Sequence, residues 1–194
     1  MKIFYSEIKR EIEKRHFSLS YGQMNQIPFV GVHHVHDWDH GYESDLGYAG
    51  KRREFYADMR DMMSFLTDYI NEQSISEFII APFHKANQFC VKDKSNDIYQ
   101  EIKSFLAEHD IRNQSQSGVK LPISANESIL EMAVEGAFRG ISELSILFHE
   151  RSVLLVPNHH FDFTFFTHRF SDEKKIVEKL LVKHPRLLYY EIAQ

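Results

Sequence analysis

The chain reads as an α+β fold, about five helices packed on a mainly antiparallel sheet that ends in a C-terminal β-meander. Three observations lead there. Helical and extended patterns arrive in groups, whereas a doubly wound parallel sheet needs them to alternate. Apolar residues fill 43% of 194 positions, and the 16 Phe and 9 Tyr among the aromatic residues make for a bulky core. Between residues 144 and 167, three β-rich runs are divided only by short polar breaks, which is the pattern of a meander. A single domain over 1–194 is the natural size reading.

Taken in order, Tyr5, Ile8 and Ile12 recur at helical spacing among charged residues, so a short helix is expected from Phe4 to about His16. The stretch from there to Gly50 holds Pro28, Gly22, Gly31, Gly41 and Gly47 and keeps no period. It reads as irregular, with a short strand over Phe29–His36. Residues 51–72 form the clearest helix, because Phe55, Met59, Met62, Leu66, Tyr69 and Ile70 fall on one core-facing stripe. Lys51-Arg52-Arg53, followed by Glu54, Asp58 and Asp61, is assigned to the solvated face of that helix, where opposite charges lie three or four residues apart.

Glu77–Ala81 and Gln88–Val91 read as the strands of a hairpin, the first closed by Pro82. A helix then carries Ile98, Ile102, Phe105 and Leu106. The polar run 113–118 is the most loop-like segment and the place where any subdomain break would fall. Ser124-Ala125-Asn126-Glu127 has the spacing of a capping box and opens a helix to about Ile141. The meander comprises Leu144–Phe148, Val153–Val156 and Phe161–Thr167. Ile176, Val177, Leu180 and Leu181 mark a last helix stopped at His184-Pro185, and Leu187–Ile192 a last strand.

A net charge of -5 and a pI near 6.2 disfavour nucleic-acid binding, which needs clustered Lys and Arg. Cys90 is the one cysteine, so no internal disulfide framework exists; its apolar neighbours mark it as a buried, inert thiol. The first ten residues are charged throughout and lack the apolar region of a signal peptide, and no run reaches membrane-spanning length. A cytoplasmic protein with no membrane partner is expected. There is no nucleophile-elbow, Walker A or dinucleotide-binding glycine motif.

The densest concentration of metal-ligating side chains runs from His33 to Asp45, with four histidines and four carboxylates. Imidazole and carboxylate bind Zn²⁺, Fe²⁺ or Mn²⁺ without thiolates. As a helix, the run puts His36 and His40 on one face with Asp37 after the first, the logic of the H-E-x-x-H motif with a shorter acid. As a strand, it puts His34, His36, Trp38 and His40 on one face, and His33, Asp37 and Asp39 on the other. As a loop, His34-Val35-His36-Asp37-Trp38-Asp39-His40 has a superficial resemblance to the H-x-H-x-D-H motif of metallo-β-lactamase-fold hydrolases. One extra residue precedes the Asp-His pair, and a helix is expected where that family has strands, so the chain is not placed in it.

These geometries make His34, His36 and His40 the candidate metal ligands and Asp37 and Asp39 the candidate ligand or base. A solvated loop is the competing reading, as is an interaction loop presenting Trp38 and Tyr42 as anchors. On the third strand of the meander, His160, Asp162, Thr164 and His168 share a face opposite Phe161, Phe163 and Phe165. That face is either solvent-exposed or a second cluster of His160, Asp162 and His168. His149-Glu150 reads as an acid/base pair or as a charged turn.

Two functions are therefore expected. The first is a non-catalytic binding or regulatory protein, inhibitor-like or immunity-like, that recognises a basic protein partner through an acidic, aromatic surface. The second is a metal-dependent hydrolase built on residues 33–45. The missing catalytic motifs weight the sequence towards the first.

Overall fold

Short runs rich in β-branched and aromatic residues favour extended backbone, and in this chain such runs join a single antiparallel sheet. The computed structural model describes residues 2–4, 28–36, 48–81, 96–111, 117–142 and 144–192. The strands are β1 (Lys2–Phe4), β2 (Phe29–His34), β3 (Glu77–Ala81), β4 (Ser117–Pro122), β5 (Ser145–Phe148), β6 (Val153–Asn158), β7 (Asp162–Thr167) and β8 (Leu187–Ile192). They lie in the order β1-β4-β3-β5-β6-β7-β2-β8. The described helices are α1 (Tyr48–Glu72), α2 (Asp97–Glu108), α3 (Glu127–Phe138) and α4 (Phe170–Leu181), with a 3₁₀ turn at Ile123–Ala125.

Residues from all four helices share one core with one face of the sheet. Val30 and Val32 of β2, Phe163 and Phe165 of β7, Leu155 of β6, and Ile146 and Phe148 of β5 point into it. The α1 stripe of Phe55, Met59, Met62, Leu66, Tyr69 and Ile70 is buried along its whole length, as its spacing predicts. Rings interlock across the layers: Phe55 meets Phe161 edge-on at 5.0 Å, Tyr69 lies 4.8 Å from Phe165, and Phe138 of α3 stacks on Phe161 at 4.4 Å. α2 packs on α3 at Gly136, where an added Cβ would come within 2.5 Å of Ile102 Cδ1. Buried Arg139 bonds Glu135 and Asp97, and Tyr56 donates to Glu135, so polar links also join α1, α2 and α3.

The meander β5–β6–β7, the final helix and the final strand form as the sequence predicts. Other elements differ. Four described helices stand where about five are expected: Phe4 belongs to β1, and the rest of the expected first helix lies outside the described residues. Gln88–Val91 also lies outside them. The local hairpin does not form on β3, because β4 and β5 occupy its two edges. β4 begins at Ser117, inside the run read as a loop, and pairs with both β1 and β3.

The capping box is replaced. Pro122 leads into the 3₁₀ turn that contains Ser124, Asn126 becomes the N-cap of α3, and its side-chain amide donates to the Pro122 carbonyl at 2.8 Å. α3 also stops three residues early. Gly140 adopts φ 68°, and Gly140 and Ile141 donate their N–H groups back to Ala137 and Gly136, a Schellman ending. Among the described residues, no helix is long and apolar enough to cross a membrane.

Candidate metal centre

Side chains alternate along a strand, so His33 and His34 at the end of β2 face opposite sides of the sheet. His34 turns to the helix side. Its backbone N–H donates to the Phe161 carbonyl at 3.0 Å and that of Val35 to the Arg186 carbonyl at 2.9 Å, so the lead-in segments of β7 and β8 hold this end in place. α1 crosses above, and Asp58 and Asp61, one helical turn apart on it, come down beside the imidazole.

The carboxylate of Asp58, only 1% exposed, faces cations or imidazoles on both oxygens. Its Oδ2 is 2.9 Å from His36 Nδ1, and its Oδ1 is 3.6 Å from His34 Nε2 and 2.8 Å from Arg186 Nη2. Asp61 Oδ2 lies 3.3 Å from His34 Nε2 and 2.8 Å from Arg186 Nη1. The rings of His34 and His36 are tilted on each other at 5.1 Å.

One contact sets the proton on His34. The His36 backbone N–H donates to His34 Nδ1 at 3.1 Å, so the neutral ring carries its hydrogen on Nε2, directed at Asp61. Burial lowers the His34 pKa below its ordinary value. The charge of Asp58 and the hydrogen bond to Asp61 oppose that shift, and the charges of Arg186 and His36 add to it.

Of the ligands expected from the sequence, His34 and His36 are brought together, while His40, Asp37, Asp39, Trp38 and Tyr42 lie outside the described residues. The carboxylates that do meet the imidazoles come from α1. Asp58 is not on the solvated face assigned to it: it follows Phe55 by three residues and precedes Met62 by four, which places it on the buried stripe. That position on an apolar stripe is the sequence signal for the site. Arg186 carries no comparable signal, because it reaches the cluster only through the pairing of β8 with β2.

The second expected cluster is divided. Asp162 is buried, with His160 close enough to act on its charge, whereas His168 lies past the far end of β7, roughly 20 Å of extended chain away. The partners of Asp162 come instead from β7 and β8. The Tyr190 hydroxyl donates to it at 3.1 Å and lies 2.9 Å from Thr164 Oγ1, while His33 meets the Tyr190 ring edge-on at 5.8 Å. Tyr190 reaches across β2 over Gly31, where any Cβ would fall 2.0 Å from its ring. This glycine is needed for space, not for its backbone angles.

A third group, Glu77, His149 and Glu150, also brings ligand atoms within 4.8 Å of one another. Both carboxylates also have partners outside the group. Glu77 Oε2 pairs with Lys120 and lies 3.9 Å from His149 Nε2, and Glu150 accepts the N–H of Ser76 at 3.0 Å and its hydroxyl at 2.8 Å. The Ser76 backbone bond is the main cause holding Glu150 below the usual carboxylate range, which suits the charged-turn reading.

No family model, curated protein or solved structure matches this chain. The chemistry therefore rests on the donor set itself. His34, His36 and Asp58 offer two nitrogens and an oxygen within 4.8 Å of one another, an arrangement that can hold a divalent ion such as Zn²⁺, Fe²⁺ or Mn²⁺.

Proposed function

We propose that the protein binds a divalent metal through His34, His36 and Asp58 and uses it for hydrolysis. The observation that carries this reading is the buried Asp58 carboxylate, whose two oxygens face two imidazoles at 2.9 and 3.6 Å. A carboxylate this deep is costly unless cations or strong donors surround it, and such an arrangement suits a metal ligand. The rim supports catalysis. The His36 side chain is 57% exposed and that of Asp61 35%, so one side of the site opens to water and substrate.

A divalent ion held by these residues would supply a water with a pKa lowered towards about 7. Asp61, beside the ligands and partly solvated, would take that proton, the role the sequence suggests for Asp37 or Asp39. For His34 to hold an ion through Nε2, the hydrogen now directed at Asp61 would have to leave, so uptake would release a proton and tighten as pH rises. Recognition of a basic protein partner through Trp38 and Tyr42 rests on residues outside those described, and the geometry around Asp58 is what supports the metal reading.

Calorimetric titration of tag-free protein with Zn²⁺ and Mn²⁺ tests the proposal. One equivalent is expected to bind, with affinity reduced at least about tenfold in His36→Ala and in Asp58→Asn. No binding to the wild type, or unchanged binding in both folded variants, overturns it.

A further inference from the structure

We infer that Arg186 is a tethered cation that competes with the metal for the carboxylates of this site. The inference rests on the metal reading above and adds how that site is regulated. Arg186 Nη2 is 2.8 Å from Asp58 Oδ1 and Nη1 is 2.8 Å from Asp61 Oδ2. These are the same two oxygens that approach His34 Nε2 most closely, at 3.6 and 3.3 Å. Nη2 also lies 3.5 Å from His36 Nδ1. The guanidinium thus spans the side of the cluster where Asp58, His34 and His36 would converge on an ion.

A divalent ion held about 2 Å from those ligand atoms cannot share the space with a guanidinium whose nitrogens already touch the same oxygens. Like charge adds to the steric conflict. Arg186 has somewhere to go: its side chain is 43% exposed, and it sits in the turn between Pro185 and β8, so a rotamer change carries the charge into water. Without metal, the guanidinium keeps the buried Asp58 compensated and the middle of α1 fixed to the start of β8. With metal, the ion takes over that compensation and Arg186 is released at the mouth of the site. Because the competitor is attached to the chain, its effective concentration is high at any protein concentration, and the site discriminates against weakly bound ions.

The test compares Zn²⁺ affinity in wild type, Arg186→Met and Arg186→Lys at fixed pH and salt, with folding checked by circular dichroism. Methionine keeps most of the apolar stem and removes the charge, so affinity is expected to rise on the order of tenfold, the scale of two partly exposed ion pairs. Lysine keeps the charge but cannot bridge two carboxylates with one planar fork, so a smaller rise is expected. If Arg186→Met does not fold, the Arg186→Lys comparison decides. Equal or weaker binding in the folded variants, with the wild type binding metal, overturns the competition and leaves the metal site standing. No Zn²⁺ binding in any of the three proteins overturns both.

Discussion

His33 and His34 are neighbours in one strand, yet they open onto two polar clusters that compensate a buried carboxylate by different means. On the helix side, Asp58 is surrounded by two imidazoles and a guanidinium. On the other side, Asp162, 9% exposed, accepts a hydroxyl hydrogen from Tyr190, and no Lys or Arg among the described residues pairs with it. Burial pushes the Asp162 pKa above the ordinary carboxylate value, against the opposing effects of Tyr190, His160, Thr164 and His33. Burial together with the Asp162 charge pushes the Tyr190 hydroxyl upwards as well. A carboxylate held by cations suits an ion; one held by hydroxyls tends towards its neutral form. The difference lies in what the neighbouring elements bring: α1 and the start of β8 supply charge to the first cluster, while β7 and the body of β8 supply hydroxyls to the second.

The largest expected effect breaks the first cluster. Arg186→Met takes the guanidinium away from the buried Asp58 and should lower stability by about 3 kcal/mol in urea unfolding, the low end for breaking a buried ion pair because Arg186 itself is partly exposed. A loss below about 1 kcal/mol, the scale of a surface pair, would show that Asp58 does not depend on the guanidinium. Added Zn²⁺ should restore part of the loss, since a ligand that binds only the native state stabilises it.

Gly31→Ala comes next. Its methyl would lie 2.0 Å from the Tyr190 ring, so the ring must leave, at an expected cost of about 2 kcal/mol for overpacking. Tyr190→Phe is smaller, about 1 kcal/mol for a lost hydrogen bond to Asp162. The two should not add: with the ring already displaced in Gly31→Ala, removing its hydroxyl should cost almost nothing further, and a full additive loss would contradict the arrangement.

The smallest effect separates the clusters by pH. The native pKa of His34 is lowered from 6.5, so the unfolded chain binds more protons just below that value. The stability His34 contributes is complete above pH 6.5 and is lost as pH falls through its native pKa. Asp162 runs the other way. Its native pKa is raised from 3.8, so its contribution is complete below that value and is lost as pH rises through the native pKa. Imidazole resonances followed by NMR should place the His34 midpoint below 6.5, and the stability of wild type relative to Asp162→Asn should decline from pH 4 upwards. A His34 midpoint above 6.5 would mean that the carboxylates outweigh burial.

Much of the fold was legible because its signals are local. The α1 stripe, the meander and the last helix and strand each follow from periodicity within a single segment. What failed depended on distant partners. The hairpin expected at Glu77–Val91 lost to pairing of β3 with β4 and β5, and the strand at Ser117 is hidden in a polar run because it gains its order from β1 and β3. The candidate site was half legible. His34 and His36 stand out in a dense run of histidines, and that run suggests carboxylates next to them in sequence, whereas those that meet them come from a helix more than twenty residues on. Asp58 between Phe55 and Met62 was the available clue, an acid on an apolar stripe.

The most direct test of the central claim is X-ray absorption at the zinc edge of protein loaded with one equivalent of Zn²⁺, with Asp58→Asn measured alongside. Two imidazole nitrogens and a carboxylate oxygen at about 2.0–2.2 Å are expected in the wild type, with the carboxylate lost in the variant. A zinc shell without imidazole, or one unchanged by Asp58→Asn, would contradict the assignment of His34, His36 and Asp58 as the metal centre.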